Sequence, residues 1–78
     1  KKSDLIIIFN LLDKFINEKN KLDFVTKTTF DNLRPNGLLV VGENDSIERS
    51  TIYQKNNTIN ILHEINNGSK TKKYLFYE

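Results

Sequence analysis

Leu33-Arg34-Pro35-Asn36-Gly37-Leu38-Leu39-Val40-Val41-Gly42-Glu43 is the stretch on which the reading of this chain turns. Proline lacks a backbone N–H and pushes the residue before it out of the helical region, so a helix arriving at Leu33 has to stop there. Asn36-Gly37 supplies residues that tolerate positive φ, and Gly37 is the expected site of a tight turn. Leu38 to Val41 is bare aliphatic, and Gly42 ends it. The stretch therefore reads as helix stop, turn and buried strand.

Working outward toward the amino end, Asp4 to Phe9 is a second continuous apolar run with three isoleucines in a row. Such a run fits a strand covered on both faces. Between the two runs, Leu11 to Leu33 is helical in character and breaks in two. Leu11, Leu12, Phe15 and Ile16 make a short apolar face. After the polar Asn17-Glu18-Lys19-Asn20, either Asn is placed to cap a second helix. Leu22, Val25, Thr29 and Leu33 then recur at helical spacing. Two apolar strands joined by a helical crossover form a right-handed, parallel βαβ unit. The fold class is therefore α/β.

Toward the carboxyl end, Asn44 to Lys55 is read as a weaker helix. Asp45 or Ser46 would cap it and Ile47 and Ile52 would face inward. Thr58 to Ile65 alternates as a strand, with Ile59, Ile61 and Ile65 on one face and the lone His63 among them as a packed residue. Asn66-Asn67-Gly68-Ser69 is a hairpin signal, and Lys72 to Tyr77 is read as the returning strand. The expected end of the fold is thus a helix followed by an antiparallel C-terminal β-hairpin.

The chain has 78 residues, enough for a single domain spanning 1–78. It has no cysteine, which excludes disulfides and thiolate metal sites and agrees with a cytoplasmic protein. A net charge of +2 is too mild to argue for nucleic acid. No apolar stretch is long enough to span a membrane. The carboxylates show no metal-binding spacing. The chain starts at Lys1 rather than Met and so reads as a piece of something longer.

Two motifs carry a family resemblance. "DLIIIFNLLDKF" (Asp4 to Phe15) and "LRPNGLLVVGENDS" (Leu33 to Ser46) resemble segments of the class I S-adenosyl-L-methionine-dependent methyltransferases. The local pattern is similar to that of the chemotaxis-receptor glutamate methyltransferases (CheR-like). Together the motifs cover about half the chain. The resemblance implies a partial Rossmann-like sheet and S-adenosyl-L-methionine as cofactor. It also implies a methyl acceptor, which would be a protein carboxylate if the subgroup holds and is otherwise unknown. By the resemblance, Asn10 and Leu11, at the carboxyl end of the first strand, contact the cofactor; the bland alternative is that Asn10 caps a helix. Asp13, Lys14, Glu43 and Asn44 are the substrate-cleft candidates. The subgroup often carries an aromatic residue where this chain has Lys14.

The glycine-rich loop that cradles such a cofactor is not in these residues, because Gly37, Gly42 and Gly68 lie too far apart. The expected partner is thus the N-terminal half of the same domain, without which the chain would be catalytically silent. A lone half would expose the edge of the Asp4–Phe9 strand and invite self-association. The rival reading is a non-enzymatic α/β binding module using Lys70, Lys72 and Lys73 with Tyr74, Phe76 and Tyr77 as a basic, aromatic hairpin.

Overall fold

The computed structural model describes residues 2–76. Strand β1 (Ser3–Phe9) leads through a short 3₁₀ turn (Leu12–Phe15) into helix α1 (Lys19–Asn32). Strands β2 (Leu33–Asn44), β3 (Glu48–Lys55) and β4 (Ile59–Ile65) follow. They form one four-stranded sheet in the order β1-β2-β3-β4. β1 runs parallel to β2, and the remaining neighbours are antiparallel. The expected βαβ unit is present, and the class is α/β.

Helix α1 has Glu18 at its N-cap position with no side-chain cap, so neither Asn17 nor Asn20 plays that part. Its inward face carries Leu22 and Thr29, both buried, with Val25 half-buried between them. Leu33 leaves the helix in an extended conformation, and its N–H still reaches the Phe30 carbonyl. Lys55 of β3 closes the helix end from across the sheet. Its Nζ donates to the carbonyls of Phe30 (2.5 Å) and Leu33 (3.0 Å) and lies 4.1 Å from the Phe30 ring centroid. A cation at the carboxyl end of a helix also meets the negative end of its dipole.

At the Pro35 turn, β2 makes a detour against β1. Ser3 is paired with Leu33, yet Leu5 is paired with Leu38, so residues 34–37 loop out opposite Asp4 alone. The positive φ falls on Asn36 (68°) rather than Gly37. Gly37 is needed for closeness instead: a Cβ there would lie 2.8 Å from the Arg34 carbonyl oxygen.

Register divides the sheet into two unlike faces. Ile6 and Ile8 stand beside Leu39 and Val41, and these beside Tyr53 and Thr51. This face packs with Leu12, Leu22, Leu33 and Leu75 into the core. The opposite face carries Leu5, Ile7 and Phe9 beside Leu38, Val40 and Gly42, with Ile52 next in line. Nothing among the described residues covers its outer part: Leu5 is 52% and Ile7 61% exposed. β1 is also an edge strand, paired only with β2.

Three expectations are corrected at the carboxyl end. Residues 48–55 form a strand, not a helix. Arg49, Thr51 and Tyr53 alternate with Ser50, Ile52 and Gln54, and the β-branched Thr51 and Ile52 with the aromatic Tyr53 favour a strand at its centre. Ile47 and Ile52 are five apart, which no helix face accommodates. The antiparallel hairpin is therefore β3–β4, turning at residues 56–58, where the Asn56 N–H meets the Thr58 carbonyl at 2.7 Å.

The segment expected to return as a strand from Lys72 makes turns instead through residue 76, and Tyr77 lies outside the described residues. Asn66, Asn67 and Gly68 all take positive φ, so the chain swings onto the core face as a strap and Leu75 enters the core. The third correction concerns His63. A bulge pairs Ile52 with His63 but Tyr53 with Ile61, leaving Leu62 extra. Ile59 stays on the core side, while His63 is shifted onto the uncovered face and is exposed.

Candidate functional site

The carboxyl ends of β1 and β2 lie side by side, as parallel strands require. Asn10 continues the ladder by one step, its N–H donating to the Gly42 carbonyl at 2.9 Å. It then turns away in the left-handed region (φ 58°), which asparagine tolerates. Its side-chain Oδ1 accepts the Asn44 N–H at 2.8 Å. One amide thus ties the two strand ends together. Its Nδ2 makes no hydrogen bond among the described residues. Leu11 follows with 45% of its surface exposed.

Asp13 sits half-buried in the 3₁₀ turn, where its Oδ1 is shielded from solvent and has no hydrogen-bond partner. Lys14 is exposed. The structure therefore brings Asn10 and Asn44 into contact and strings Leu11, Asp13 and Lys14 along the chain beside them.

Glu43 does not belong to this rim. It shares the inward face of β2 with Leu39 and Val41 and is 1% exposed. Its Oε2 accepts the Ser69 hydroxyl at 2.5 Å and its Oε1 accepts the Lys70 N–H at 2.7 Å. Ser69 Oγ in turn accepts the Thr71 N–H at 3.1 Å and lies 2.8 Å from Thr71 Oγ1. The Ser69 N–H donates to Thr51 Oγ1 at 2.9 Å. A buried charge needs such partners, because desolvating it unpaired is costly. Glu43 is the anchor of the strap.

Ser69 and Thr71 were not singled out in the sequence as site residues. The asparagine-glycine turn before them is a visible signal, but Ser69's carboxylate partner lies 26 positions away. The two flanking lysines hold the strap from outside, Lys70 paired with Asp45 and Lys72 with Glu64. Both are thus ion-paired within the chain, whereas Lys73 has no ion pair among the described residues.

Tyr53 completes this buried end. It is 2% exposed, its ring meets Phe76 edge-on at 5.2 Å, and its hydroxyl has no partner among the described residues. Burial, with the Glu64 and Glu43 carboxylates nearby, pushes its hydroxyl pKa up to about 12. Among the described residues there is no group of three or more His, Cys, Asp or Glu side chains placed to hold a metal. No helix among them is long and apolar enough to cross a membrane. No protein-family model, curated protein or solved structure matches this chain.

Proposed function

We propose that this chain is the carboxyl-terminal part of an S-adenosyl-L-methionine-dependent methyltransferase domain, working in the cytoplasm with an N-terminal half that carries the glycine-rich loop. The observation that carries the reading is the state of β1. It is apolar on both faces and parallel to its one neighbour, yet it sits on the sheet edge with Leu5 and Ile7 bare. Edge strands of complete domains are normally short, charged, bulged or covered. From Leu5 to Phe9, β1 has none of these guards, whereas β4 at the other edge has a bulge. A further strand beside β1, with cover for the uncovered face, would complete the sheet.

In an open α/β sheet, ligands bind outside the carboxyl ends of parallel strands. With a strand added beside β1, Asn10 and Leu11 would lie at such a crevice. The fit to the cofactor is partial and specific. The spare Nδ2 of Asn10 is a donor for a purine or ribose acceptor, and the exposed Leu11 is a surface for an apolar ring face. The cofactor, when bound, supplies a methyl group activated on a sulfonium.

The chain's own residues would then bind and orient. Asn10 would set the cofactor edge, Leu11 would keep water from it, and Asp13, Lys14 and Asn44 would face the methyl acceptor. Methyl transfer is an in-line displacement, so positioning accounts for much of the work and no nucleophile from this chain is required. A protein carboxylate is the acceptor in keeping with the CheR-like motifs.

The test is calorimetric titration of the complete gene product with S-adenosyl-L-methionine and its demethylated product. Asn10→Ala removes both the strand tie and the donor. Asn10→Asp keeps the acceptor for Asn44 and removes the donor; because it also adds a negative charge, its effect is read with the demethylated product, which has no sulfonium. Both variants should bind about tenfold more weakly than wild type, the worth of one hydrogen bond. Absence of binding in the wild-type protein overturns the reading, and unchanged affinity in Asn10→Asp removes Asn10 from the site.

A further inference from the structure

Helix α1 and the strap do not close on each other. Between them runs a groove of about 670 Å³, bordered by three successive turns of α1 on one side and by Lys73, Tyr74 and Phe76 on the other. That volume is in the range of small-molecule sites. None of Asn10, Leu11 or Asn44 lines it, so it stands apart from the rim at the strand ends.

Its floor is apolar, made by Leu22 and Phe30 of α1 with Tyr74 and Phe76 opposite. Thr26 contributes no free hydroxyl, because its Oγ1 already donates to the Leu22 carbonyl at 2.7 Å. The outer rim is charged but largely self-cancelling. Lys19 pairs with Asp23 at 2.9 Å and Lys27 with Asp31 at 3.3 Å. Lys73 differs. It forms no ion pair among the described residues, and its Nζ stands 5.7 Å from the Tyr74 ring centroid. Phe76 takes φ 54°, a costly conformation for a bulky side chain, and its ring packs edge-on against Tyr53.

We infer that this groove is a binding site for a small aromatic monocarboxylate. Flat aromatic walls favour a ring, the one lining ammonium without an ion pair among the described residues favours one negative charge, and the apolar floor disfavours a sugar or a polyphosphate. The ring would lie along Leu22 and Phe30 with its carboxylate toward Lys73.

The complete gene product would be titrated by calorimetry with naphthoate and with its uncharged analogue naphthylmethanol. Naphthoate should occupy one site per chain with a dissociation constant of order 100 μM, in keeping with the efficiency of small ligands. Lys73→Ala, at an exposed position, should weaken naphthoate about fivefold, the size of a partly solvated ion pair, and leave naphthylmethanol unchanged. Thr26→Leu fills the groove without removing a tertiary hydrogen bond and should weaken both ligands. Circular dichroism checks that each variant is folded. Equal affinity of the two ligands in wild type, or an equal loss of both in Lys73→Ala, overturns the assignment. Failure of both to bind below about 1 mM also overturns it. Asn10→Asp should leave naphthoate binding intact, which separates this inference from the methyltransferase reading.

Discussion

Replacing Glu43 with alanine should remove most of the stability of the fold, and the size of the effect follows from the atoms around it. The carboxylate accepts from the Ser69 hydroxyl and from the Lys70 N–H. Hydrogen bonds to a charged group are worth about 1.5–3 kcal/mol each, so two represent roughly 3–6 kcal/mol. Relief of a buried charge offsets part of this, because desolvating a carboxylate costs energy of the same order. The net loss expected for Glu43→Ala is about 3 kcal/mol, against a total stability of order 5 kcal/mol for a small domain.

Glu43→Gln is the informative companion. With its Oε1 toward the Lys70 N–H, the new amide nitrogen donates to Ser69 Oγ, and the freed serine proton turns to Thr71 Oγ1, 2.8 Å away. The Lys70 N–H and the Ser69 hydroxyl keep partners, but the second amide N–H has no described acceptor and charge assistance is lost, together about 2 kcal/mol. Urea unfolding followed by circular dichroism measures both. At a slope of about 1 kcal/mol/M, the Ala and Gln midpoints should fall by about 3 M and 2 M. The amides of Ser69 and Lys70 should lose exchange protection first in Glu43→Ala. A change below about 0.5 kcal/mol in Glu43→Ala, the size of an ordinary surface substitution, would refute the anchoring role. So would a glutamine variant less stable than the alanine one.

Other consequences follow from particular contacts. Tyr53 ionises near 12 when folded against 10 when unfolded, so its contribution is complete below pH 10 and is lost as pH rises toward 12. Tyr53→Phe should abolish that part of the alkaline loss, measured as stability against pH, at little cost at neutral pH, since the hydroxyl is unpartnered. Gly42→Ala places a Cβ 2.5 Å from the Phe9 ring and 2.6 Å from the Arg49 carbonyl oxygen. It should cost about 1–3 kcal/mol by overpacking, and a double-mutant cycle with Phe9→Leu should return part of that loss. Lys55→Met keeps the stem but leaves the Phe30 and Leu33 carbonyls without their ammonium, and should lower stability by about 1–2 kcal/mol in thermal unfolding.

The parts of this protein legible in its sequence are those set by neighbours along the chain. Asp4 to Phe9 has no polar face to turn outward, Leu22, Val25 and Thr29 repeat at the helical period, and Pro35 ends what precedes it. These local facts are enough for a parallel βαβ unit, and the structure contains one. The strand ends that carry Asn10 and Asn44 follow from that unit, since parallel pairing brings carboxyl ends together.

What local pattern left open was settled by packing at long range. Residues 48–55 gain a partner on each side as a strand, and the pairing of Val41 with Thr51 and Leu39 with Tyr53 outweighs the weak helical reading of the same residues. Glu43 looked like a rim carboxylate from its position at a strand end. The inward alternation of β2 buries it, and only the arrival of Ser69 and Lys70 makes that burial tolerable. The turn at Asn66-Asn67-Gly68 was visible, but its destination was not. A turn fixes a local change of direction, whereas the surface on which the following residues land depends on which buried donors and acceptors still lack partners once the sheet has formed.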